Sequence, residues 1–478
     1  MMNSSNGLSQ RLFWLLLGGM LLLRLVIAAM LPMMETTEPR YAEMSRLMLE
    51  KQDWITPWYD AQTPFWGKPP LSFWAQKIAI DLLGVNDLAP RLPSWLFGLL
   101  LLVVVAWLAR VRQGKPAILP TMLLFASMAL PFVSMGAVMT DVYLALGVGL
   151  SLAAFASLLN TPSALPGWLF FVGIGVSMLA KGPVGVVLTG IPIFMWTVTG
   201  GGWRRLWRLL PWFRGSVLSA MIALPWYGLA ELKTPGFLNY FLLGEHILRF
   251  VEPGWAGDLY GDAHERPKGT IWLFWMLGAL PWSLVFVWRY GRDAWRIRRF
   301  PWPADGQGRF LFFWALAPML FFTLAGNILP AYVLPGLPAA AVLMHGYLRP
   351  SGKQLASGAL VAPLVIALAV VVLMARPAQW TSERANVQAY ARAAGSASLL
   401  AYLEKVPYSA SYYSHGAVEQ VSLSGLDDWL ARGQGERYLV VHDRHLPLLR
   451  ERTDIRAVAL SRSKTMVLFK ITGAAGDR

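Results

Sequence analysis

Cationic side chains in short motifs are the first candidates for chemistry in this 478-residue chain. Segment 244–250 reads GEHILRF, and its His246 and Arg249 lie three residues apart, so one face of a helix would present both to the same ligand. Lys68 follows the aromatic stretch PFWG, and Arg40 lies within TEPRYAE. Arginine binds phosphate through two parallel hydrogen bonds, whereas lysine binds it as a point charge. These cations predict a site for a lipid phosphate headgroup.

Carboxylates accompany the cations. Glu35 and Glu38 precede Arg40, while Asp141 in MTDVYLAL and Lys181 in LAKGPVG lie near the ends of apolar segments. A charge at membrane depth usually has a partner or lines a cavity, although Lys181 could snorkel to the interface and Asp141 could cap a helix. Carboxylates beside a phosphate site suit deprotonation of a sugar hydroxyl, orientation of an acceptor, or metal binding.

Several enzyme classes have no support in this sequence. It contains no P-loop, no Rossmann glycine fingerprint and no HExxH motif, which argues against ATP hydrolysis, hydride transfer and zinc-dependent proteolysis. It also contains no Cys, so disulfides and thiolate chemistry are excluded.

Long apolar segments must position the charged residues. Hydrophobic residues make up 56% of the chain and charged residues 14%, and a membrane-crossing helix needs about 20 apolar residues. We therefore predict an α-helical polytopic membrane protein with about eleven transmembrane helices, the first of them an uncleaved anchor rather than a signal peptide. The predicted spans are 11–33, 92–110, 117–134, 139–159, 165–180, 182–200, 212–230, 270–289, 309–326, 329–348 and 355–375.

The distribution of charge predicts the orientation. With the N-terminus inside, the inner segments hold 16 basic residues and two acidic ones, whereas loop 34–91 on the other side holds six basic and eight acidic residues. Most of the net charge of +15 is then a topology signal, and nucleic-acid binding loses its main support. We expect a multi-pass membrane protein whose C-terminal domain lies on the outer side, in the periplasm or its equivalent.

Two domains are predicted, a transmembrane catalytic domain over residues 1–376 and a small periplasmic α/β domain over 377–478. In the second domain, Arg437–Val441 and Thr465–Ile471 are predicted strands and Leu426–Arg432 is a predicted helix.

Two periplasmic loops separate the predicted spans. We name residues 34–91 the outer loop and predict two amphipathic helices along the membrane, Glu38–Lys51, capped by Thr37 or Glu38, and Pro70–Leu83. We name residues 231–268 the second loop; it carries GEHILRF and most of the charged stretch GDAHERPKG at 261–269.

The segment Glu35–Trp74 resembles the first periplasmic loop of bacterial aminoarabinose (4-amino-4-deoxy-L-arabinose) transferases, which belong with protein O-mannosyltransferases to the GT-C glycosyltransferases. The resemblance runs over roughly residues 10–350. It continues through RLPSWLFG (91–98), MTDVYLAL (139–146), LAKGPVG (180–186), LPWY (224–227), GEHILRF (244–250) and ILPAYVLPGLP (328–338).

The resemblance implies transfer of a sugar from undecaprenyl phosphate to an acceptor at the outer leaflet, which in aminoarabinose transferases is a lipid A phosphate. It implies that Lys68 and Arg249 hold the donor phosphate, that His246 is a metal ligand, and that Asp141 and Lys181 lie around the cavity. With the reasoning above, this gives three sets of predicted site residues. They are Glu38 and Asp141 as catalytic residues; Lys68, Arg249, Arg40 and Lys181 as donor-phosphate ligands; and His246 with Glu35 as metal ligands.

The sequence also departs from the aminoarabinose pattern. Thr37 precedes Glu38 where the pattern has Asp, Gly67 replaces an acidic residue expected to bind metal, and a common lysine is absent around Asn327. The predicted spans are also fewer than in that family. Either Glu35 or Glu38 supplies the displaced carboxylate, or dependence on a divalent metal is lost. We expect a sister subfamily that acts on lipid A or another envelope glycolipid.

Three alternatives stay open from the sequence. A protein O-glycosyltransferase of the same fold would act on Ser or Thr. A flippase for a lipid-linked glycan would also need many spans and a lipid-phosphate site, but no second copy of a broken-helix half is apparent. A non-catalytic scaffold would have no reason to place Glu38, Arg40, Lys68, His246 and Arg249 around one cavity.

Overall fold

The structure is a computed structural model that describes residues 3–252, 255–261, 265–298, 302–395, 398–431, 436–452 and 454–473. Helices make up most of the chain before residue 375. They are α1 (Asn3–Met30), α2 (Thr37–Glu50), α3 (Leu71–Leu83), α4 (Leu92–Gln113), α5 (Ile118–Ala126), α6 (Ala129–Ser134), α7 (Asp141–Asn160), α8 (Ala164–Lys181), α9 (Val184–Trp196), α10 (Trp203–Leu209), α11 (Trp212–Lys233), α12 (Phe237–Asn239), α13 (Arg249–Val251), α14 (Thr270–Gly278), α15 (Trp282–Ile297), α16 (Gly306–Phe322), α17 (Leu337–Leu348) and α18 (Gly352–Met374). Segments of 3₁₀-helix lie at Lys115–Ala117 and Pro330–Gly336, and π-helical segments at Thr197–Gly201 and Tyr240–Leu248.

The structure confirms a polytopic helical membrane protein but corrects the predicted number of apolar helices. Within the described ranges, seven helices are long and apolar enough to cross a membrane, or eight if α14 and α15 form one bent span. The seven correspond to the predicted spans that begin at 11, 92, 139, 165, 182, 329 and 355.

The four other predicted spans differ for local reasons. Segment 117–134 breaks where Met128 adopts an extended conformation between α5 and α6. Helix α11 is 22 residues long but includes Arg214, Glu231 and Lys233, which lower its hydropathy. Helices α14 and α15 meet at 112°, and α16 has 17 residues, fewer than the roughly 20 that cross the hydrocarbon core.

The bundle has two chemically different ends. At one end, Arg112 contacts Asp305, with 2.9 Å between Nη1 and Oδ1, and Arg289 donates to the carbonyl of Leu348 at 2.8 Å. At the other end, Lys181 closes α8 against Asp141, the first residue of α7. The basic loops predicted to share one side therefore lie together, opposite the outer loop.

The outer loop forms the two predicted helices. Helix α2 buries Ala42, Met44 and Met48 against α3, and α3 exposes Ile78 and Leu82 on its other face. The predicted cap at Thr37 or Glu38 is wrong, because Thr36 occupies the cap position and forms no side-chain capping bond.

The C-terminal domain is built on a mixed five-stranded sheet. Its helices and strands are α19 (Arg384–Ala393), β1 (Leu399–Leu403), α20 (Tyr408–Tyr413), β2 (Glu419–Val421), α21 (Leu426–Ala431), β3 (Arg437–His442), α22 (Leu446–Arg450), β4 (Ile455–Arg462) and β5 (Met466–Gly473), with 3₁₀ turns at Pro377–Gln379 and Asp443–His445. The strand order is β2-β1-β3-β5-β4, with β1 parallel to β2 and β3, and β5 antiparallel to β3 and β4. Alternate residues of β1 and β3 pack on opposite faces, as expected for a sheet covered on both sides.

The C-terminal domain docks on the outer loop. The amide of Glu35 donates to the carbonyl of Thr381 at 2.8 Å, and Arg384 contacts Asp87 at 2.8 Å. One of these segments follows the first span and the other follows the last. Because the two segments are in contact, they lie on the same side of the membrane, and the chain between them crosses it an even number of times. Helix α1 precedes both segments and adds one crossing, so the total number of crossings is odd.

Candidate functional site

A cavity of about 540 Å³ lies where the outer loop, the second loop and the C-terminal domain meet the end of the bundle. Its volume is typical of small-molecule sites. Its polar lining includes Arg40, Lys68, Lys181, Glu245, His246 and Arg249, and its apolar lining includes Val184, Val187, Ile247, Phe250, Phe321 and Phe322. The structure thus brings together five of the eight predicted site residues.

The wall from the second loop carries a cluster of alternating charges. Glu245 accepts from Lys68, with 2.9 Å between Oε2 and Nζ, and from Arg249, with 2.8 Å between Oε1 and Nη1. Arg249 also approaches Asp258 at 3.3 Å. We call these four residues the cavity cluster. Burial alone would raise the pKa of Glu245, but Lys68 and Arg249 outweigh it and hold that pKa below its ordinary value.

A π-helical segment positions this wall. Tyr240–Leu248 forms the π-helix and Arg249 begins α13, and Glu245, His246, Ile247, Arg249 and Phe250 from these two segments line the cavity. Such irregular turns are frequent at functional sites. Gly244 is needed here because a Cβ would lie 2.5 Å from the ring of Trp255.

Asp141 and Lys181 form an ion pair behind the cavity. Lys181 Nζ lies 2.5 Å from Asp141 Oδ1 and 4.2 Å from the centre of the Tyr332 ring. Lys181 lines the cavity, whereas Asp141 reaches it only through Lys181. Lys181 is therefore ion-paired rather than extended to the membrane interface. Asp141 does not cap α7, because Thr140 occupies the cap position.

Arg40 lies on the outer-loop wall of the cavity. Its Nη1 donates to the carbonyl of Tyr260 at 2.7 Å, and its guanidinium lies 5.4 Å from the centre of the Tyr41 ring. Its Nε is buried without an acceptor. Most buried donors in native proteins are satisfied, so this one is an exception among the described residues.

Glu38 and Glu35 have structural partners outside the cavity lining. Glu38 pairs with Arg91 and accepts from the amide of Val138 at 2.9 Å. Burial would raise the pKa of Glu38, but Arg91 lowers it, which keeps the carboxylate charged. Glu35 accepts from the amide of Ser409 at 2.6 Å. The catalytic role of Glu38 and the metal-binding role of Glu35 stay predictions.

The described residues do not fit a metal site at His246. Its Nδ1 lies 2.7 Å from the carbonyl of Phe241 and its Nε2 lies 3.2 Å from the carbonyl of Lys181. Within the described ranges, no group of three His, Cys, Asp or Glu residues converges. Asp262 and His264 of GDAHERPKG lie outside the described residues. We derive no step through a metal.

Sequence reasoning missed several lining residues. Glu245 and Asp258 hold the predicted cations, and Lys405 and Tyr408 enter the lining from the C-terminal domain. Glu245 could have been found, because it lies four residues before Arg249 in GEHILRF and is spaced for an ion pair. The other three carry no local signal, since only tertiary contacts bring them to the cavity.

This fold and cavity define a polytopic helical membrane protein with a charged cavity at one end of its bundle. Over residues 20–241 the chain matches the family described as dolichyl-phosphate-mannose-protein mannosyltransferase. It is 28% identical over 339 residues to undecaprenyl phosphate-α-4-amino-4-deoxy-L-arabinose arabinosyl transferase of Edwardsiella ictaluri, covering 69% of this chain and 58% of that protein. It is 31% identical over 343 residues to undecaprenyl phosphate-α-4-amino-4-deoxy-L-arabinose arabinosyl transferase 1 of Pseudomonas fluorescens. This match covers 68% of this chain and 56% of that protein.

Solved structures agree with this relationship at the level of the fold. ArnT from Cupriavidus metallidurans bound to undecaprenyl phosphate is 21% identical and superposes with a TM-score of 0.76 over 97% of this chain and 99% of that one. The structure of the same ArnT in the apo state is 22% identical and superposes with a TM-score of 0.74 over 95% of this chain and 97% of that one. The chain is related to the protein mannosyltransferases and the aminoarabinose transferases, as the sequence resemblance predicted. It aligns with less than two thirds of the length of these curated relatives.

Proposed function

We propose that the chain is a polyprenyl-phosphate-sugar-dependent glycosyltransferase of the bacterial inner membrane. It moves a sugar from an undecaprenyl-phosphate donor to lipid A or another envelope glycolipid at the periplasmic face. The observation that carries the proposal is the cavity itself, in which cationic side chains suited to binding phosphate face an apolar wall at the end of a membrane bundle. A lipid phosphate has the two matching parts, an anionic phosphate for the cations and an apolar chain for the wall.

The apolar wall supports a place for the polyprenyl chain. Val187 at the start of α9 and Ile247 on the second loop line the cavity and are themselves partly exposed, at 38% and 51%. In a bilayer these exposed faces would meet acyl chains. A polyprenyl chain could therefore lie along them while its phosphate reaches the cavity cluster.

The cavity cluster supports stabilisation of the departing phosphate. Lys68 donates to Glu245 and to the carbonyl of Gly67, which leaves one of its three ammonium protons free. Arg249 likewise keeps guanidinium protons beyond its contacts with Glu245 and Asp258. Fixed donors of this kind stabilise charge that develops on a leaving group. Glu245 raises the pKa of Lys68 against the effect of burial, so the ammonium stays charged.

Three residues support a sister subfamily rather than an aminoarabinose transferase. Thr37 lines the cavity at the position where the aminoarabinose pattern has Asp, Gly67 replaces an acid, and a common lysine is absent around Asn327. Asn327 donates to the carbonyl of Arg249 at 2.8 Å, so it supports the second loop without adding charge.

The test is to delete the gene and compare the masses of lipid A, core glycan and membrane proteins with those of the parent strain. We expect one sugar increment to disappear from lipid A or another glycolipid and to return on complementation. Loss from a membrane protein would instead support the second candidate, a protein O-glycosyltransferase, which the mannosyltransferase match over residues 20–241 favours. Unchanged masses in all three fractions would exclude both.

A further inference from the structure

Another cavity, of about 350 Å³, lies at the end of the bundle opposite the outer loop, and we call it the second cavity. Helix α7 begins at Asp141, beside the candidate functional site, and ends at Asn160, which lines the second cavity. With a rise of about 1.5 Å per residue, the 20 residues of α7 separate the two cavities by about 30 Å. The charge distribution predicts that this end of the bundle faces the cytoplasm. The second cavity is therefore a separate feature at the other surface of the membrane.

The charges at the second cavity do not cancel. Arg112 donates to both carboxylate oxygens of Asp305, at 2.9 and 2.8 Å, so these two lining residues neutralise each other. Arg205, from α10, also lines the second cavity, and among the described residues it has no carboxylate partner. Its Nη2 donates to the carbonyl of Leu159 at 3.0 Å, and its guanidinium lies 5.7 Å from the centre of the Trp196 ring. Because a guanidinium has five donor protons, Arg205 leaves a net positive charge and unused donors at the second cavity.

A buried indole adds a donor to the second cavity. Trp196, the last residue of α9, is 2% exposed, and its ring packs edge-on against Phe155 with 5.3 Å between the ring centres. Trp196 lines the second cavity, and within the described ranges its Nε1–H has no acceptor. Gly306 keeps the space beside that atom open, because a Cβ there would lie 3.6 Å from Nε1. Gly306 also begins α16, and the N-terminus of a helix favours an anion.

Helix α10 has the composition of a membrane-surface helix. It exposes Trp203 and Trp207, and Phe213, near the start of α11, is 82% exposed. Its Arg204 and Arg208 are exposed as well, and it contains no acidic residue. Tryptophan is enriched where a membrane meets water, and helices that combine Trp with several Arg bind anionic lipid surfaces. The second cavity therefore lies beside a helix suited to the headgroup layer rather than to bulk water.

We propose that the second cavity binds the phosphodiester headgroup of an anionic phospholipid from the leaflet at this end of the bundle. Arg205 pairs with the phosphate, and the indole N–H of Trp196 donates to a headgroup oxygen. The exposed Trp203 and Trp207 contact the same lipid beside the cavity. A soluble phosphate would form the same polar contacts, but only a lipid also uses the exposed face of α10. The proposal goes beyond the transfer reaction, because it concerns neither the sugar donor nor the acceptor.

The test is native mass spectrometry of the purified full-length protein, with phosphatidylglycerol, phosphatidylcholine or glycerol 3-phosphate added. Arg205→Gln removes the unpaired charge, Trp196→Phe removes the indole N–H, and Gly306→Ala places a methyl group beside that indole at an ordinary contact distance. Arg204→Gln is the matched control, because Arg204 is the neighbouring exposed arginine of α10 and is not among the described residues that line the second cavity. Lys68→Ala tests whether the lipid binds at the candidate functional site instead. Thermal unfolding checks that each variant is folded.

We expect the wild type to bind one phosphatidylglycerol about tenfold more tightly than phosphatidylcholine. Arg205→Gln should weaken this binding by about tenfold, the size of one lost charged hydrogen bond, and Trp196→Phe and Gly306→Ala should weaken it severalfold. Arg204→Gln and Lys68→Ala should bind the lipid like the wild type. Equal affinity for the two lipids, an unaffected Arg205→Gln, or an equal loss in Arg204→Gln or Lys68→Ala would overturn the site. Glycerol 3-phosphate binding as tightly as phosphatidylglycerol would overturn the assignment to a lipid.

Discussion

Two ion-pair groups that the outer loop helps to build have different tasks. In the first, which we call the bracing pair, Arg91 donates to Glu38 and to the carbonyls of Ala28, Leu31 and Pro32 and is 1% exposed. In the second, the cavity cluster, Lys68 and Arg249 keep unused donors on the wall of a cavity. In the sequence both look like charges near a membrane surface.

The bracing pair and the cavity cluster differ in the number of hydrogen-bond donors that have no acceptor within the protein. Arg91 connects the end of α1 to the start of α4 and has no room for a ligand, so its charge serves the fold. The cations of the cavity cluster are held in place by carboxylates but are not saturated. An ion pair near a membrane indicates a binding site only when some of its hydrogen-bonding capacity is unused.

The largest expected effect is on the bracing pair. Arg91→Ala would leave the Glu38 carboxylate buried beside three carbonyls that have lost their donor, and breaking a buried pair costs about 3–5 kcal/mol. We expect little folded protein, measured by yield and thermal unfolding. Glu38→Gln keeps an acceptor for Val138 and should lose less stability. A Glu38→Gln protein as stable as the wild type but inactive would assign Glu38 to the chemistry.

The next effect should separate the cavity cluster from the bracing pair. Lys68→Ala leaves Glu245 paired with Arg249, so the protein should fold, but undecaprenyl phosphate binding should weaken by about 10- to 100-fold and become less sensitive to salt. Lys51→Ala is the control, since Lys51 is an outer-loop lysine bonded to the carbonyl of Ala61 and outside the cavity. Unchanged donor affinity in Lys68→Ala would contradict the phosphate role.

A smaller effect is expected at Asp141, which reaches the cavity only through Lys181. If Asp141 acts by holding that ammonium, Asp141→Asn should slow transfer by about tenfold and leave the pH profile of transfer unchanged. Donor binding and transfer rate are measured on the same preparation. A loss of more than about a thousandfold with normal donor binding would show that Asp141 takes part directly, as the sequence predicts.

The smallest effect concerns Glu35, which like the bracing pair serves the fold. Burial raises its pKa above the ordinary 4.5, and neighbouring Glu383 adds to this, although bonds to Ser409 work against it. The charged form therefore costs stability at neutral pH, and the cost disappears as pH falls through the raised pKa. Glu35→Gln should be more stable than the wild type at pH 7, and the difference should shrink as the pH falls toward 4.5. A difference that grows with acidification would contradict this.

Much of the fold follows from the sequence, because apolar length and charge asymmetry act locally. The helices of the outer loop and the strands beginning at Arg437 and Met466 lie close to their predicted positions. The number of apolar helices does not follow, since a break at Met128 and a 112° bend depend on how the segments pack.

The site was predictable where its residues share a motif. Lys68, His246 and Arg249 were recognised and do line one cavity. The ion-pair partner of each charged residue was not predictable from the sequence. Whether Glu38 faces Arg91 or the cavity depends on a contact between residues 53 positions apart. For the same reason no pattern in the C-terminal domain pointed to Lys405.

The contribution of the C-terminal domain to the rim also fixes when the cavity is finished during synthesis. The outer loop and the second loop leave the ribosome early, but Lys405 and Tyr408 follow α18 in the chain. They can reach the rim only after α18 has been synthesised. A growing chain therefore contains Lys68 and Arg249 before Lys405 and Tyr408, and the full cavity lining exists only once the C-terminal domain has been made.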